Sequence, residues 1–533
     1  MLRVILALSV VCGGLDVGSA ALAADEAGSG GSLVLHLRAR QLAAPQNAPP
    51  EQPSTGQQGP EQQDPAQARQ PDFQIVHKLV AWEPAKTAVL MLGMWDRHPS
   101  PEAQARIAAM APRAAEFVSA ARSQGALVVH VPYGRAAAYE GTPQRQLAER
   151  APATKDPRPL SEEQIDRREL PPPWEPAPVV KPAAGTRQHP AIEPQSGDAI
   201  TDSGAELGNL LAARGIDHLI LLGADADGSM LSAWVGVKNL LASGRDVVVV
   251  RDLVDIAPRS DEPAAEHHAR RDQWARYLER LGCASITSDQ LLKDAVFAFP
   301  DDRRPHIVFL VNEDEYFANE TMPPLAELLE DRLGHRVTYV TGVAEHDLTG
   351  VQAIRTADTV VMFLRRRALP KDQLGELRRY FERGGSLVAL RTSSHALALR
   401  KGEPPAGSEQ WPTFDVDVLG CRYGNHAGND LGSAISAGPA AESHPIMKGL
   451  DTSPWHSTGS LYKSDLVDAD AQVLLRGKAK DWDEPVAWTR LHNGGRIFYT
   501  SLGHRDDLAR PDFVEMLVRA VQWTMGPEAK LSE

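Results

Sequence analysis

The sequence predicts an α/β protein built as two consecutive three-layer α/β/α domains with mainly parallel sheets. Short apolar runs alternate with longer amphipathic stretches, the alternation of βα units. The alternation occurs twice, on either side of the polar stretch Pro300-Asp301-Asp302-Arg303-Arg304. At 533 residues the chain also exceeds what one hydrophobic core usually serves.

Residues 33–38, LVLHLR, alternate as a strand. Residues 41–72, dense in Gln, Pro, Ala and Glu, cannot bury enough apolar surface to offset their ordering entropy and are expected to form a disordered tether. The first core opens with the apolar run TAVLML at 87–92, followed by a helix over 101–123 and a strand over 126–131. Residues 133–182, rich in Pro, Arg and Glu, read as a surface excursion. A helix over 203–214, a strand over 218–222, a helix over 229–243, a strand over 246–250 and a helix over 263–281 complete this half. The second half opens with a strand over 306–311, a helix over 323–333 and strands over 337–340 and 359–364. A helix over 371–383 follows, its Leu374, Leu377, Tyr380 and Phe381 at helical spacing. Gly384-Gly385 ends it and releases the buried strand LVAL at 387–390. Residues 484–490 and 496–501 read as a hairpin turning at Asn493-Gly494-Gly495.

Residues 1–24 carry Arg3, an apolar run and small residues ending Ala-Leu-Ala-Ala, the pattern of a secretory signal cut near Ala24. The run is broken by Gly13, Gly14 and Asp16. Export to a periplasm or beyond is expected, with no membrane attachment after cleavage. Cys283 and Cys421, which remain after the signal, fall in different halves and are expected to be free buried thiols. A net charge of −14 without a sustained Lys/Arg cluster excludes nucleic acid as the expected partner. The short basic patches RRPH and LRRR fit a solvated surface.

Ligands of parallel sheets sit at the carboxyl ends of the strands, so the chemistry is sought where apolar runs surface. The run at 387–390 surfaces into Arg391-Thr392-Ser393-Ser394-His395, and the run at 306–311 into Asn312-Glu313-Asp314-Glu315-Tyr316. His426, in YGNHAGND, and His504, in SLGH, complete the polar set. Glu313, Glu315, Arg391, His395 and His504 are expected to share a cleft in which His395 is acid or base and Glu313 or Glu315 its partner, with Arg391, Thr392, Ser394, His426 and His504 contacting substrate. Histidine with carboxylate also makes a divalent metal the one cofactor to consider, although no pair has the tight spacing of a zinc motif.

Taken with GSLYK (459–463), EPVAWTR (484–490) and GGRIFYTSLGH (494–504), the segment GGSLVALRTSSH resembles the trehalose-utilisation (ThuA-like) family of the class I glutamine-amidotransferase-like superfamily, over 305–526. The resemblance implies a flavodoxin-like sheet and a carbohydrate-like small-molecule ligand. In class I amidotransferases the nucleophile is a cysteine three residues before a histidine. Thr392 stands there, so glutamine hydrolysis is not expected.

Residues 94–98 (MWDRH), 187–192 (RQHPAI) and 223–229 (GADADGS) resemble the isochorismatase-like cysteine hydrolases, over 33–299. That family uses an aspartate, a lysine and a cysteine. The matching positions here are Gly93, either Arg187 or Lys181, and Ser229; Asp96 and His98, a few residues after Gly93, are the candidates to take over as base, and Asp96, His98 and Arg187 the expected substrate contacts. A domain without its nucleophile, a pseudoenzyme, is therefore expected, with a serine-based amidohydrolase at Ser229 as the weaker reading. For the whole chain the favoured expectation is a hydrolase or lyase acting on a sugar in the second domain. The alternative is a non-catalytic carbohydrate- or protein-binding scaffold, and a homo-oligomer is compatible with either.

Overall fold

The computed structural model of the protein describes residues 31–42, 73–154, 180–233, 235–342 and 344–526. The expected signal, most of the expected tether and the middle of the surface excursion lie outside the described residues.

Thr87–Leu92 is buried at all six positions, as a strand between two helical layers must be. Ala88, Leu90 and Leu92 join one apolar cluster and Val89 and Met91 another, the two-residue period of a strand. It runs parallel to Leu127–Val131 on one side and His218–Gly223 on the other. Asp246–Val254 and Ala284–Ile286 continue the parallel order. Pro101–Ser123 covers one face through Ile107, Met110 and Phe117. Gly204–Ala213 and Ala264–Arg280 cover the other through Leu207, Leu211 and Trp274.

At the edge of this sheet Leu33–Leu42 pairs antiparallel with Phe73–Trp82, Leu42 opposite Phe73. The two strands pair as a hairpin, and Gln41 and Leu42, expected in the tether, belong to its first strand. Arg38 and Arg40 of that strand are held by the buried carboxylate of Glu279 at 2.8 and 3.1 Å. Arg40 also reaches Glu327 of the second half at 2.9 Å, and Arg276 reaches Glu330 at 3.2 Å, so the hairpin and the neighbouring helix tie the two halves together.

The second sheet has nine strands. His306–Asn312 lies between Arg336–Val340 and Thr359–Leu364, and Leu387–Leu390 and Gly495–Thr500 extend the parallel run. Beyond Gly495–Thr500 the order turns antiparallel through Trp482–His492, Gln472–Ala479, Ser433–Ala437 and Trp455–Ser457. Ala318–Leu333 and Pro511–Met525 pack on one face and Lys371–Glu382 on the other. Gly384-Gly385 is required where that last helix turns into the strand. Gly384 has φ +81°, and a Cβ on Gly385 would lie 2.3 Å from the Tyr380 ring.

Two helices depart from expectation. The helix placed at 323 begins at Ala318, because the Glu313 carboxylate accepts amides at its start and Pro323 is tolerated within it. The helix expected over 229–243 is broken into Ser229–Ser232 and Val237–Ala242. Gly236 lies in the break, where a Cβ would meet the Ala233 carbonyl at 2.6 Å.

Candidate functional site

The rim of the second sheet is assembled where four parallel strands end. Leu387–Leu390 passes into a tight turn at Arg391, whose φ of +42° is left-handed. Arg366, two residues after Thr359–Leu364, has φ +55°, and Phe317, beyond His306–Asn312, has φ +59°. Non-glycine residues held in this region carry strain, which clusters at functional sites.

Arg391 is the hub. Its guanidinium carbon lies 3.9 Å from the Tyr316 ring centroid and 4.9 Å from that of Tyr462, a cation between two aromatic faces. Nη1 donates to the Ser501 carbonyl at 2.9 Å and Nη2 to Ser460 Oγ at 3.2 Å, while Nε, buried, has no partner. Gly459 leaves the space this requires, since a Cβ there would lie 2.9 Å from Nη1. The Tyr499 hydroxyl donates to the Arg391 carbonyl at 2.7 Å and fixes the strained turn.

His395 sits against Tyr423, ring centroids 4.5 Å apart, with Tyr462 at 6.0 Å. Ser394 Oγ donates to the Arg391 carbonyl at 3.3 Å and lies 3.2 Å from His395 Nδ1. This network assigns the proton to Nδ1 and leaves Nε2 as the lone pair, with no partner among the described residues. Burial, reinforced by Arg366, Arg365, Arg391 and His426, holds the His395 imidazole down at about 2. It is neutral at physiological pH and acts as an acceptor.

Tyr423, Tyr462 and His426 come from a separate two-stranded sheet, Cys421–His426 against Tyr462–Leu466, with His426 opposite Tyr462. His504 closes the far side: its Nδ1 lies 2.8 Å from Thr458 Oγ1, and its ring is 6.2 Å from that of Tyr316. Arg391, His395, His426 and His504 are therefore brought around Tyr316 and Tyr462.

The expected carboxylate partners are not. Glu313 is fully buried and accepts the backbone amides of Glu315, Tyr316 and Ala318, so it shapes the loop instead of serving His395. Burial raises its pKa. Glu315 pairs with Arg365 at 2.5 Å. Thr392, expected to contact substrate, is buried and donates its hydroxyl to the Leu364 carbonyl at 2.9 Å. Ser394 is likewise turned to local partners. Among the described residues no group of three or more His, Cys, Asp or Glu side chains is placed to hold a metal ion, so the His–carboxylate set considered for a divalent ion is not assembled.

Sequence reasoning missed Tyr316, Arg366, Tyr423 and Tyr462 as site residues. It also read LRRR as solvated surface, whereas Arg366 lies at the rim and Arg367 is buried, donating to Asn312 Oδ1 at 2.7 Å. The signal was present in part, because Arg366 and Tyr316 each follow an apolar run.

The rim of the first sheet is arranged differently. Gly93 stands at the end of Thr87–Leu92 with φ +62°, and a Cβ there would meet the Ala224 carbonyl at 3.0 Å, so an aspartate would be strained. Ser229 is buried at the start of a single helical turn, and its amide donates to Asp225 Oδ2 at 3.1 Å. The amides of Gly228 and Met230 donate to the Asp225 carbonyl, each at 3.2 Å. The helix start that would receive an oxyanion is thus filled by Asp225, itself left-handed at φ +57° and pushed up to about 6 by burial.

Neither base candidate reaches Ser229. Asp96 accepts the Arg187 amide at 2.9 Å, and His98 accepts the Ser100 amide at 3.0 Å; both brace loops. Arg187 is exposed, its guanidinium donating to the Ala138 carbonyl at 2.8 Å, and Lys181 is exposed. The two thiols are free and buried, and burial pushes both pKa values up.

Fold and rims define a pair of α/β/α domains, each with a strand-end site, the first filled from within and the second lined by arginine, histidine and tyrosine. The isochorismatase domain family model matches residues 87–276 and the trehalose utilisation (ThuA) family model matches residues 293–524. The chain carries an isochorismatase-like domain followed by a ThuA-like domain.

Among solved structures, a putative ThuA-like protein from Bacteroides uniformis is 16% identical, with TM-score 0.32 over 43% of this chain and 94% of its own. A cysteine hydrolase from Pseudomonas syringae is 20% identical, with TM-score 0.21 over 34% of this chain and 76% of its own. N-carbamoylsarcosine amidase from Thermoplasma acidophilum is 21% identical, with TM-score 0.23 over 38% and 97%. Comparison with curated proteins finds no significant match. Among the described residues no helix is long and apolar enough to cross a membrane.

Proposed function

We propose that the second domain binds a carbohydrate-like small molecule at the Arg391–His395 rim and acts on it by hydrolytic or lyase chemistry, in an exported protein whose first domain is not a working hydrolase. One observation carries this reading: the Arg391 guanidinium held between Tyr316 and Tyr462, beside a neutral His395 with Nε2 free. Half-buried Tyr316 and Tyr423 offer aromatic surface to a sugar ring, while His395, His426 and His504 offer polar atoms to its hydroxyls. His395 Nε2 would accept a proton from the substrate. Its Nδ1–H is fixed by Ser394, which keeps the imidazole in one tautomer.

The first domain supports the other half of the reading. The Ser229 hydroxyl faces the Asp225 carboxyl, which already fills the helix start and leaves no open oxyanion site. A scaffold that binds without turnover is the second reading, favoured by the absence of a carboxylate hydrogen-bonded to His395 among the described residues.

Turnover and calorimetric binding of a panel of neutral and acidic mono- and disaccharides test the proposal. His395→Asn is expected to abolish turnover while binding stays within a few-fold. Glu313→Gln keeps an acceptor oxygen for the loop amides and is expected to retain turnover. Loss of turnover in Glu313→Gln with unchanged melting would return the catalytic role to that carboxylate. Binding without turnover in the native protein would favour the scaffold.

A further inference from the structure

The cations at the second rim are not balanced by the carboxylates around them. Glu315 neutralises Arg365, and Asp314 and Glu345 lie within ion-pair distance of Arg367. Arg391 and Arg366 have no carboxylate within ion-pair distance among the described residues. Arg391 is held by a carbonyl and a hydroxyl, and Arg366 by a single bond from Nη1 to the Ala398 carbonyl at 3.3 Å. Arg366 is half-buried and held in the left-handed region, its amide donating to the His395 carbonyl at 3.3 Å, so backbone and side chain both belong to the rim. Asp507, the acid closest in effect to Arg391, is buried and accepts the amides of Gly503 and His504 at 3.0 Å each.

Two guanidiniums without a counter-charge, Arg391 buried and Arg366 half-buried, favour an anion in the rim. We propose that the ligand of this rim carries a negatively charged group, a carboxylate or a phosphate on a carbohydrate-like body, bound by Arg366 beside His395. This rests on the reading of the rim as a carbohydrate-like site and names the class of ligand. It also addresses a weakness of the empty site. An imidazole made a poor base by burial, and further by three neighbouring arginines, would gain basicity from an anion bound among them.

Isothermal titration of the full-length protein with D-glucuronate, D-glucose 6-phosphate and D-glucose decides it. At least one of the anionic sugars is expected to bind tenfold or more tightly than D-glucose, with weaker affinity as salt is raised. Whichever of the two binds more tightly identifies the carboxylate or the phosphate as the anion. Arg366→Gln is expected to remove that preference, and Arg366→Lys to restore most of it. A melting curve matching the native protein certifies that each variant folds. Equal affinity for neutral and anionic sugars would overturn the anionic ligand and leave the carbohydrate reading standing. No binding of any of the three would overturn both. A preference that survives Arg366→Gln would overturn the assignment of Arg366.

Discussion

The two sheet rims of this chain start from the same backbone device and end in opposite states. Each turns its strands with left-handed residues: Gly93, Tyr133 and Asp225 in the first, Phe317, Arg366 and Arg391 in the second. In the first rim the backbone amides are taken up from within, by Asp225 at Ser229 and by Asp96 at Arg187. In the second, Arg391 and His395 are positioned by neighbours that leave part of their bonding capacity unused. Strained strand ends mark where a site can be built, and the partners of the polar atoms decide whether it is open.

The largest effect that would break this contrast is at the hub. Arg391→Ala removes two hydrogen bonds and two aromatic contacts and leaves a buried void, so the unfolding free energy of the second domain should fall by about 3 kcal/mol. Denaturant titration measures this, and a loss under about 1 kcal/mol would show that the rim is not organised around that guanidinium.

A smaller effect follows from His395. Its pKa is about 2 in the folded chain, below the ordinary imidazole value of 6.5, so unfolding takes up a proton at acid pH. The stability it contributes is present above pH 6.5 and is lost as pH falls below 6.5 toward about 2. Between pH 7 and pH 4.5 this amounts to about 2.5 kcal/mol, and His395→Gln should lose correspondingly less over the same range. Identical acid dependence of the melting temperature in both proteins would contradict the buried, neutral assignment.

The smallest effects sharpen the other side of the comparison. Ser229→Cys should react with a disulfide reagent about tenfold more slowly than an exposed cysteine, since its amide faces Asp225 and the site is buried. Adding Asp225→Ala should restore about tenfold of that rate. A fluorophosphonate probe should leave Ser229 of the native protein unlabelled, and labelling would revive the serine amidohydrolase.

The rule that sites lie at strand ends made Arg391, His395 and His504 legible, because each lies within five residues of the end of an apolar run whose burial the structure shows. The same rule placed Glu313 correctly at a strand end but misjudged its role, since only the fold reveals which backbone amides a carboxylate meets. Tyr423 and Tyr462 depend on pairing between strands some forty residues apart, a contact no local spacing encodes. The strand Phe73–Trp82 escaped for a related reason: its partner Leu33–Leu42 lies across the Gln- and Pro-rich run, and its own alternation is weak.

The account rests on the second rim being open to a ligand and the first being closed. Crystals soaked with D-glucuronate test both at once. The account predicts density against Arg366, His395 and Tyr316, with nothing at Ser229. Density beside Ser229 and an empty second rim would contradict it.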